Sequence, residues 1–519
     1  MSGESVPTTH SLVLQAGQIT AANKASLTIT AKDDAISIQS VAGAAIQAGE
    51  ALNAKLVIEG KSIADTGNIN LSSGAVTLHA TGTDATDGVT LGNGSKTWAT
   101  GISKTISGQT VYAQAGSVSL VADNGGINIQ GGALVDVSGA AGGGDAGVIN
   151  LTAAKGAVSV AGELKGAAAA KYAQGSFMLD ANNLISASTA NALTKINDTL
   201  TSGGLTALRD MRIRTGDLAI DADTSGTARA KAQTFRLTAD AGSIEVSGKI
   251  DSSSTQAGNI LLAAQNDITL KAGASLDAHA TGTDEKGGKV TLETASGTID
   301  LNNQPIAVQG GDGAGGSVLL RAPRNAANTD VAVNNTGGTA LNISSGASVT
   351  VEAFKTYTPP ASLTAANAAT TTAVYKTDAE NFATNATTIK NRLGMLNNSN
   401  LHLIPGVELN SAGDLTLATN WDLSTWRFND GNGGVTEPGI LTLRAGGNLN
   451  FGTAVGTTTT PASLTDGFTP PPANNGITSN NGTFSTIAPV PGASWTYRLV
   501  AGADAGSADV MAVNDQLTG

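Results

Sequence analysis

Three aspartates carry the first candidate chemistry. Asp136, Asp251 and Asp277 occupy matching places in ALVDV, KIDSS and SLDAH, and the last two are about one repeat apart. Carboxylates stacked on adjacent turns of a chain can bind calcium, or can share a proton for acid–base work because two like charges push one pKa up. The competing reading is that each accepts hydrogen bonds from the turn amides that follow it, and no Lys or Arg is evidently placed to act as a lyase base. The stretches 310–313 (GGDG) and 144–147 (GDAG) look like the calcium-binding nonapeptide but lack its tandem spacing. His79 and His279 are related by a repeat and far apart in sequence, so hydrogen bonding within a corner loop is expected of each rather than a shared metal. Arg209, Arg212 and Arg214 lie among Asp210 and Asp217; they either grip an acidic ligand or pair with one another and tether the neighbouring segment. The densest aromatic stretch, NWDLSTWRF at 420–428, supplies the candidate ligand-binding residues Trp421, Trp426 and Arg427. Indole faces stack on sugar rings when exposed, and otherwise form core or close an irregular part of the fold. No nucleophile–base pair, phosphate loop or dinucleotide fingerprint is present, so no catalytic residue, metal or cofactor is assigned.

Composition narrows the framework that must hold these residues. Sixty-five glycines, 3% aromatic and 13% charged residues are unlike an ordinary mixed globule, whereas 40% apolar content is too high for simple disorder. The net charge is −12 and basic residues form no run, which argues against nucleic acid and anionic membrane as partners. The chain has no cysteine, so thiol chemistry and disulfides are out. No run reaches the length of a membrane-spanning helix, and the first residues lack a signal peptide's charged and apolar regions. If the parent protein is exported, this chain is expected to be a fragment of it or to have lost its leader.

The framework is legible in Gly242 to Arg321. Apolar-x-apolar blocks recur there in three interleaved series: Ile260-Leu261-Leu262, Val290-Thr291-Leu292 and Val318-Leu319-Leu320; Ile244-Glu245-Val246, Ile268-Thr269-Leu270 and Ile299-Asp300-Leu301; and Ile250, Leu276 and Ile306. A strand's period of two sends the outer residues of a block inward and the middle one outward, so three series describe a solenoid with three strands per coil. The first series extends through Leu27-Thr28-Ile29, Leu56-Val57-Ile58, Val89-Thr90-Leu91, Val118-Ser119-Leu120, Ile149-Asn150-Leu151, Phe177-Met178-Leu179, Met211-Arg212-Ile213 and Phe235-Arg236-Leu237 to Val349-Thr350-Val351, its members roughly 24 to 34 residues apart. The segment His79 to Asp84 before Val89 reappears as His279 to Asp284 before Val290, as if one loop entered the same strand of two coils.

Two segments break this rule. Residues 186–210 and 361–393 space Leu, Ile and Phe as short helices would. The expected organisation is a β-helix rod over 1–353 with an excursion at 186–210, a partly helical excursion over 354–400, and over 401–519 a continuing β-helix or irregular region with a mobile loop at about 456–482, where Pro, Thr and Asn dominate.

The stretches 131–153, 212–220, 235–254, 287–301, 315–325, 411–428 (SAGDLTLATNWDLSTWRF) and 494–504 (SWTYRLVAGAD) resemble the filamentous haemagglutinin family of large exported proteins. The resemblance implies an all-β, right-handed parallel β-helix on a Gram-negative surface or secreted, exported through an outer-membrane partner transporter without membrane insertion. The Asn-Pro motifs of the family's secretion domain are absent, so an internal or C-proximal part is expected and no functional residue is carried over. The function implied is a non-enzymatic structural and adhesive rod segment that binds a host or bacterial surface glycan or protein through its loops. The alternatives are a polysaccharide lyase or hydrolase, or the stalk of a toxin-delivery or haem-acquisition exoprotein.

Overall fold

A computed structural model describes residues 11–46, 49–186, 191–223, 227–311, 315–338, 340–396, 398–431, 436–455, 458–466 and 494–514. The fold is all-β and of the parallel β-helix type, with three helices among the described residues. The chain divides into two compact units, one drawn from Met1–Ala263, Leu270–Val290 and Gln304–Gly316, the other from Ala264–Thr269, Thr291–Asn303 and Ser317–Gly519. The division does not fall at the expected residue 353.

In the first unit three parallel ladders run side by side. One stacks Leu27, Leu56, Val76, Val118, Ile149 and Phe177 in register. A second stacks Leu12, Ile36, Ile63, Val89, Ile127 and Val158. The third stacks Ile69, Thr97, Val135 and Leu164, and later Ala230, Ile250, Leu276 and Ile306. From the second coil on, the inward side chains are almost fully buried. Each buried Val, Leu or Ile contributes about 1.5–3 kcal/mol, but only because the next coil covers it.

Two expected alignments are corrected. Val89-Thr90-Leu91 belongs to the second ladder, between Ile63-Ala64-Asp65 and Ile127-Asn128-Ile129. The true successor of Leu56-Val57-Ile58 is Val76-Thr77-Leu78, whose own successor is Val118-Ser119-Leu120. A short coil followed by a long one mimics two average coils. The long one contains an antiparallel hairpin, Ile102–Ile106 with Gln109–Ala113, turned by Ser107 and Gly108, both at positive φ as a two-residue hairpin turn requires. The repeated His-Ala-Thr-Gly-Thr-Asp segment likewise serves two different places: His79 lies within a first-ladder strand that ends at Ala80, while His279 follows a third-ladder strand.

Corner glycines let successive coils approach. A Cβ on Gly116 would stand 1.6 Å from the Gly74 carbonyl oxygen, which accepts from the Ser117 N–H at 3.0 Å. Gly116→Ala is therefore expected to cost about 1–3 kcal/mol by forcing those coils apart, read as a lower denaturant midpoint.

The second correction is at Arg209. Leu179 is in register with Met211, not Phe177 with Met211, so Arg209 takes an inward place between Phe177 and Phe235 and is fully buried. Helix α1 (Ala192–Ser202), within the expected excursion at 186–210, explains it. The helix stands where its coil would otherwise supply a third-ladder strand: Gly166 N–H donates to Gly203 O on one side, and Thr201 Oγ1 donates to Arg229 O on the other. Asn191 caps it by accepting from Leu193 and Thr194 N–H, and Leu193, Ile196 and Leu200 face the core. Arg209 donates to Leu205 O, Asn197 O, Asn197 Oδ1 and Thr201 Oγ1. It thus gathers acceptors around the end of a helix that has no basic residue in its last turn.

Asp65 also takes an inward place, between Ile38 and Leu91, and is fully buried. One carboxylate oxygen accepts from Gly67 N–H at 2.7 Å and the other has no partner among the described residues. Burial raises its pKa from 3.8 to about 7, against the opposing Gly67 bond. A raised folded pKa means the folded state keeps a proton that the unfolded chain releases, so this group's contribution falls as pH rises from about 4 to about 7 and is flat above. Asp65→Asn is expected to remove a pH dependence of about 4 kcal/mol, measured as the difference between wild-type and variant unfolding energies across that window.

In the second unit the long ladder continues past residue 353. Ser348–Tyr357 is parallel to Ser317–Pro323 and to Leu401–Ser411, which pairs in turn with Ile440–Ala445 and that strand with Thr496–Ala501. The helical excursion therefore starts after Tyr357 rather than at 354, and holds α2 (Ala368–Ala383) and α3 (Ala386–Arg392). Of the expected loop at 456–482, residues 458–466 include strands Thr458–Thr460 and Leu464–Thr465, and 456–457 and 467–482 lie outside the described residues.

Candidate functional site

The aromatic residues scattered through the second half of the sequence meet in the second unit. α2 presents Tyr375, Ala379 and Ala383 to a core that includes Leu363, Leu417, Trp421, Trp426, Phe428 and Trp495. The rings form a chain: Tyr357 to Tyr375 at 4.3 Å between centroids, Tyr375 to Trp421 at 6.2 Å, Trp421 to Trp426 at 5.8 Å and Trp426 to Trp495 at 6.0 Å, the last two edge-on. Edge-to-face contact suits the ring quadrupoles and fixes each ring's plane. Trp421 and Trp426 are 4% and 5% exposed, so they are core residues rather than open stacking platforms.

Both nevertheless reach a cavity of about 290 Å³. Its buried floor is Leu363, Leu417, Trp421 and Trp426; Ala365, Ala369, Asn420 and Asp422 stand on the exposed rim. The period of two places these roles: Trp421 faces inward and Asp422 outward on one short strand, which pairs with Leu464–Thr465. The Trp421 Nε1–H is fully buried and has no acceptor among the described residues. Asn420 Oδ1 accepts from Ser463 N–H and hydroxyl, and Asp422 Oδ1 accepts from Ser424 N–H and the Thr465 hydroxyl. The Ser424 bonds hold the Asp422 carboxyl below its usual range, so it is ionised at neutral pH.

Arg427 is turned elsewhere. Its guanidinium donates to the carbonyl oxygens of Leu423, Trp426 and Asp466, bracing the loop between the two tryptophans. It is not among the residues lining the cavity.

The acidic and basic candidates mostly serve the coils. Asp136, Asp251 and Asp277 each accept from the N–H two residues on, at Ser138, Ser253 and His279. Asp251 and Asp277 are in register on adjacent coils, and Lys249 Nζ stands 3.4 Å from Asp277, a cation beside them that sequence spacing did not reveal. His279 Nδ1 is 2.6 Å from Asp277, and His79 Nε2 is 2.8 Å from Asp123. Among the described residues no group of three or more His, Asp or Glu could hold a metal ion. The arginines pair across coils rather than within their own cluster: Arg212 with Asp240, Arg214 with Asp180, Arg236 with Asp210. Arg209 holds the excursion from within that cluster, and Arg229, from a later coil, pairs with Asp198 of α1 at 2.7 Å.

A buried charge network in the second unit escaped the sequence reading altogether. Glu352, 1% exposed, meets Arg321 and takes two bonds from Arg498, at 2.8 and 2.7 Å. Arg321 also pairs with Glu408, and Glu293 accepts from Val510 N–H at 3.1 Å. Burial pushes the Glu293 carboxyl up to about 7, with Arg321 the main opposing influence. Glu352 is buried too, but Arg498 and Arg321 outweigh that and hold it below the ordinary range. The available signal was a charged residue directly after an apolar-x-apolar block, as in VLLR and VTVE.

Comparison with known proteins yields no match of this chain to any family model, curated protein or solved structure.

Proposed function

We propose that this chain is a structural and adhesive segment of a large exoprotein, displayed at a bacterial surface or secreted, that binds a glycan or protein of a host or neighbouring cell. The carrying observation is the way the 358–400 insertion is mounted. The strands on either side of it stay in register over nine residues, Val349 with Leu401 to Tyr357 with Leu409. The insertion between them is fixed by Lys355–Asp378 at 2.6 Å, Lys390–Asp430 at 3.2 Å and Arg392–Asp330 at 2.7 Å. A regular scaffold that carries a pinned insertion is the arrangement by which loops gain recognition without loss of order. The sequence resemblance supports the same reading and adds export through an outer-membrane partner transporter. No described helix is long and apolar enough to cross a membrane.

The test is binding of the full chain to glycan and host-protein arrays, repeated with residues 358–400 and, separately, 102–113 replaced by short linkers. Loss of binding with one replacement is expected. Depolymerisation of any member of a panel of acidic polysaccharides would overturn the non-enzymatic reading.

A further inference from the structure

We propose, independently of what the chain binds, that the first coil of the first unit and the last coil of the second are the two halves of one interface, through which copies of this chain join head to tail. In the first coil Leu27 is 45% exposed and Leu12 and Ile19 are half-buried, although these are inward places. The last coil repeats this: Leu499 is 45% and Phe451 38% exposed, and Leu464 is half-buried. A solenoid coil buries its inward row only under a neighbour, and among the described residues neither end row has a covering coil.

The two edges match in phase. In the first unit the chain passes from second ladder to third to first, as in Ile63–Thr66, Asn68–Asn70 and Ala75–Ala80. Its first coil does the same, from Ser11–Ala16 through Ile19 to Ser26–Ala31. In the second unit Leu449–Phe451 and Leu464–Thr465 are followed by Thr496–Ala501, which stacks on Ile440–Ala445 and so completes a turn. The next strand in this order belongs on Leu449–Phe451, and Ser11–Ala16 of a second copy supplies it. Ile19 of that copy then covers Leu464, and its Ser26–Ala31 covers Thr496–Ala501. These two strands share a frame, SLTITA and TYRLVA, so Leu27 meets Tyr497 and Ile29 meets Leu499. A single strand from an unrelated partner would cover one face only.

The backbones match as well. Lys55 N–H donates to Ala25 O at 2.8 Å, Ala75 N–H to Ala54 O at 2.8 Å and Thr496 N–H to Gly439 O at 3.3 Å, each to the coil before. By the same step the N–H groups of Ser26 and Thr28 point off the free edge, toward the carbonyls of Trp495 and Tyr497 in the second copy. The ladders are parallel, so head-to-tail joining keeps their direction. Because the two edges are different surfaces, the contact is heterologous and adds copy after copy.

The experiment follows the full chain by sedimentation velocity at increasing concentration. Wild type is expected to give dimers and then longer species. Leu27→Lys and Leu499→Lys, each at an exposed place at one end, should weaken association at least about a hundredfold, equivalent to about 2.8 kcal/mol, with the melting temperature of the monomer unchanged. An equimolar mixture of the two should restore dimers and nothing longer, since each variant keeps the end that the other lacks. Thr28→Pro, which removes an N–H from the free edge and keeps the inward row, should also give monomers, and it carries the test if a lysine variant does not fold. Wild type that stays monomeric, a lysine or proline variant that associates by itself as wild type does, or a mixture that stays monomeric would overturn the assignment.

Discussion

Arg209→Ala is expected to destabilise the first unit by about 3–5 kcal/mol and to expose the amides of α1 to hydrogen exchange. Two losses combine. The first is volume: Arg209 fills an inward place between Phe177 and Phe235, and truncation leaves a cavity there. The second is polar. Removing the guanidinium strands the Leu205 carbonyl and the Asn197 amide oxygen inside the fold, and takes one donor each from the Asn197 carbonyl and from the Thr201 hydroxyl, which still donates to Arg229 O. Arg209→Leu separates the two parts, since it restores apolar volume but leaves the same acceptors unpaired. It should recover part of the midpoint and none of the exchange protection at 192–202. Burial lowers the Arg209 pKa to about 9, with Asp198 opposing, so the side chain is still charged at neutral pH and the acceptors are bound to a cation. If α1 remains protected in Arg209→Leu, the arginine is filler and the helix is held by Leu193, Ile196 and Leu200 alone.

Glu352→Ala is expected to cost the second unit a similar amount, about 3–5 kcal/mol, because it leaves the buried Arg321 and the half-buried Arg498 short of their shared carboxylate. The pH profile gives a sharper check. Glu352 has a depressed folded pKa, so its contribution is complete above the unfolded value near 4.5 and is lost as pH falls through the folded pKa. Glu293 has a raised folded pKa of about 7, so its penalty appears as pH rises from about 4.5 to about 7. Together they give maximal stability of this unit near the lower end of that interval, with a fall toward neutrality and another in acid. Glu352→Gln should flatten the acid side, and Glu293→Gln the neutral side, in urea midpoints followed by Trp fluorescence. Identical profiles for wild type and both variants would show that the network does not couple to folding.

How much of this was readable beforehand depends on the kind of interaction. Ile250, Leu276 and Ile306 stack as their spacing suggests, and α1 and α2 lie where helical spacing interrupts the blocks. Each is a local pattern, a period of two or of about 3.6, repeated often enough to be read from one chain. Spacing failed where one coil is short and the next contains a hairpin, because average spacing does not say which face a block belongs to. It failed again at Arg209, where the rule that charged residues point outward hid an arginine in a core row.

The candidate site divides along the same line. Residue pattern alone specifies a three-faced β-helix interrupted by helical insertions, with aromatics concentrated around Trp421 and Trp426. That those rings are core, that a cavity opens beside them under α2, that Arg427 serves its own loop and that Glu352 holds Arg321 and Arg498 is fixed by packing between distant segments. The physical reason is range. Strand periodicity is written in adjacent residues, whereas a cavity or a buried ion pair arises between segments as distant as Glu352 and Arg498, and no local pattern records their meeting.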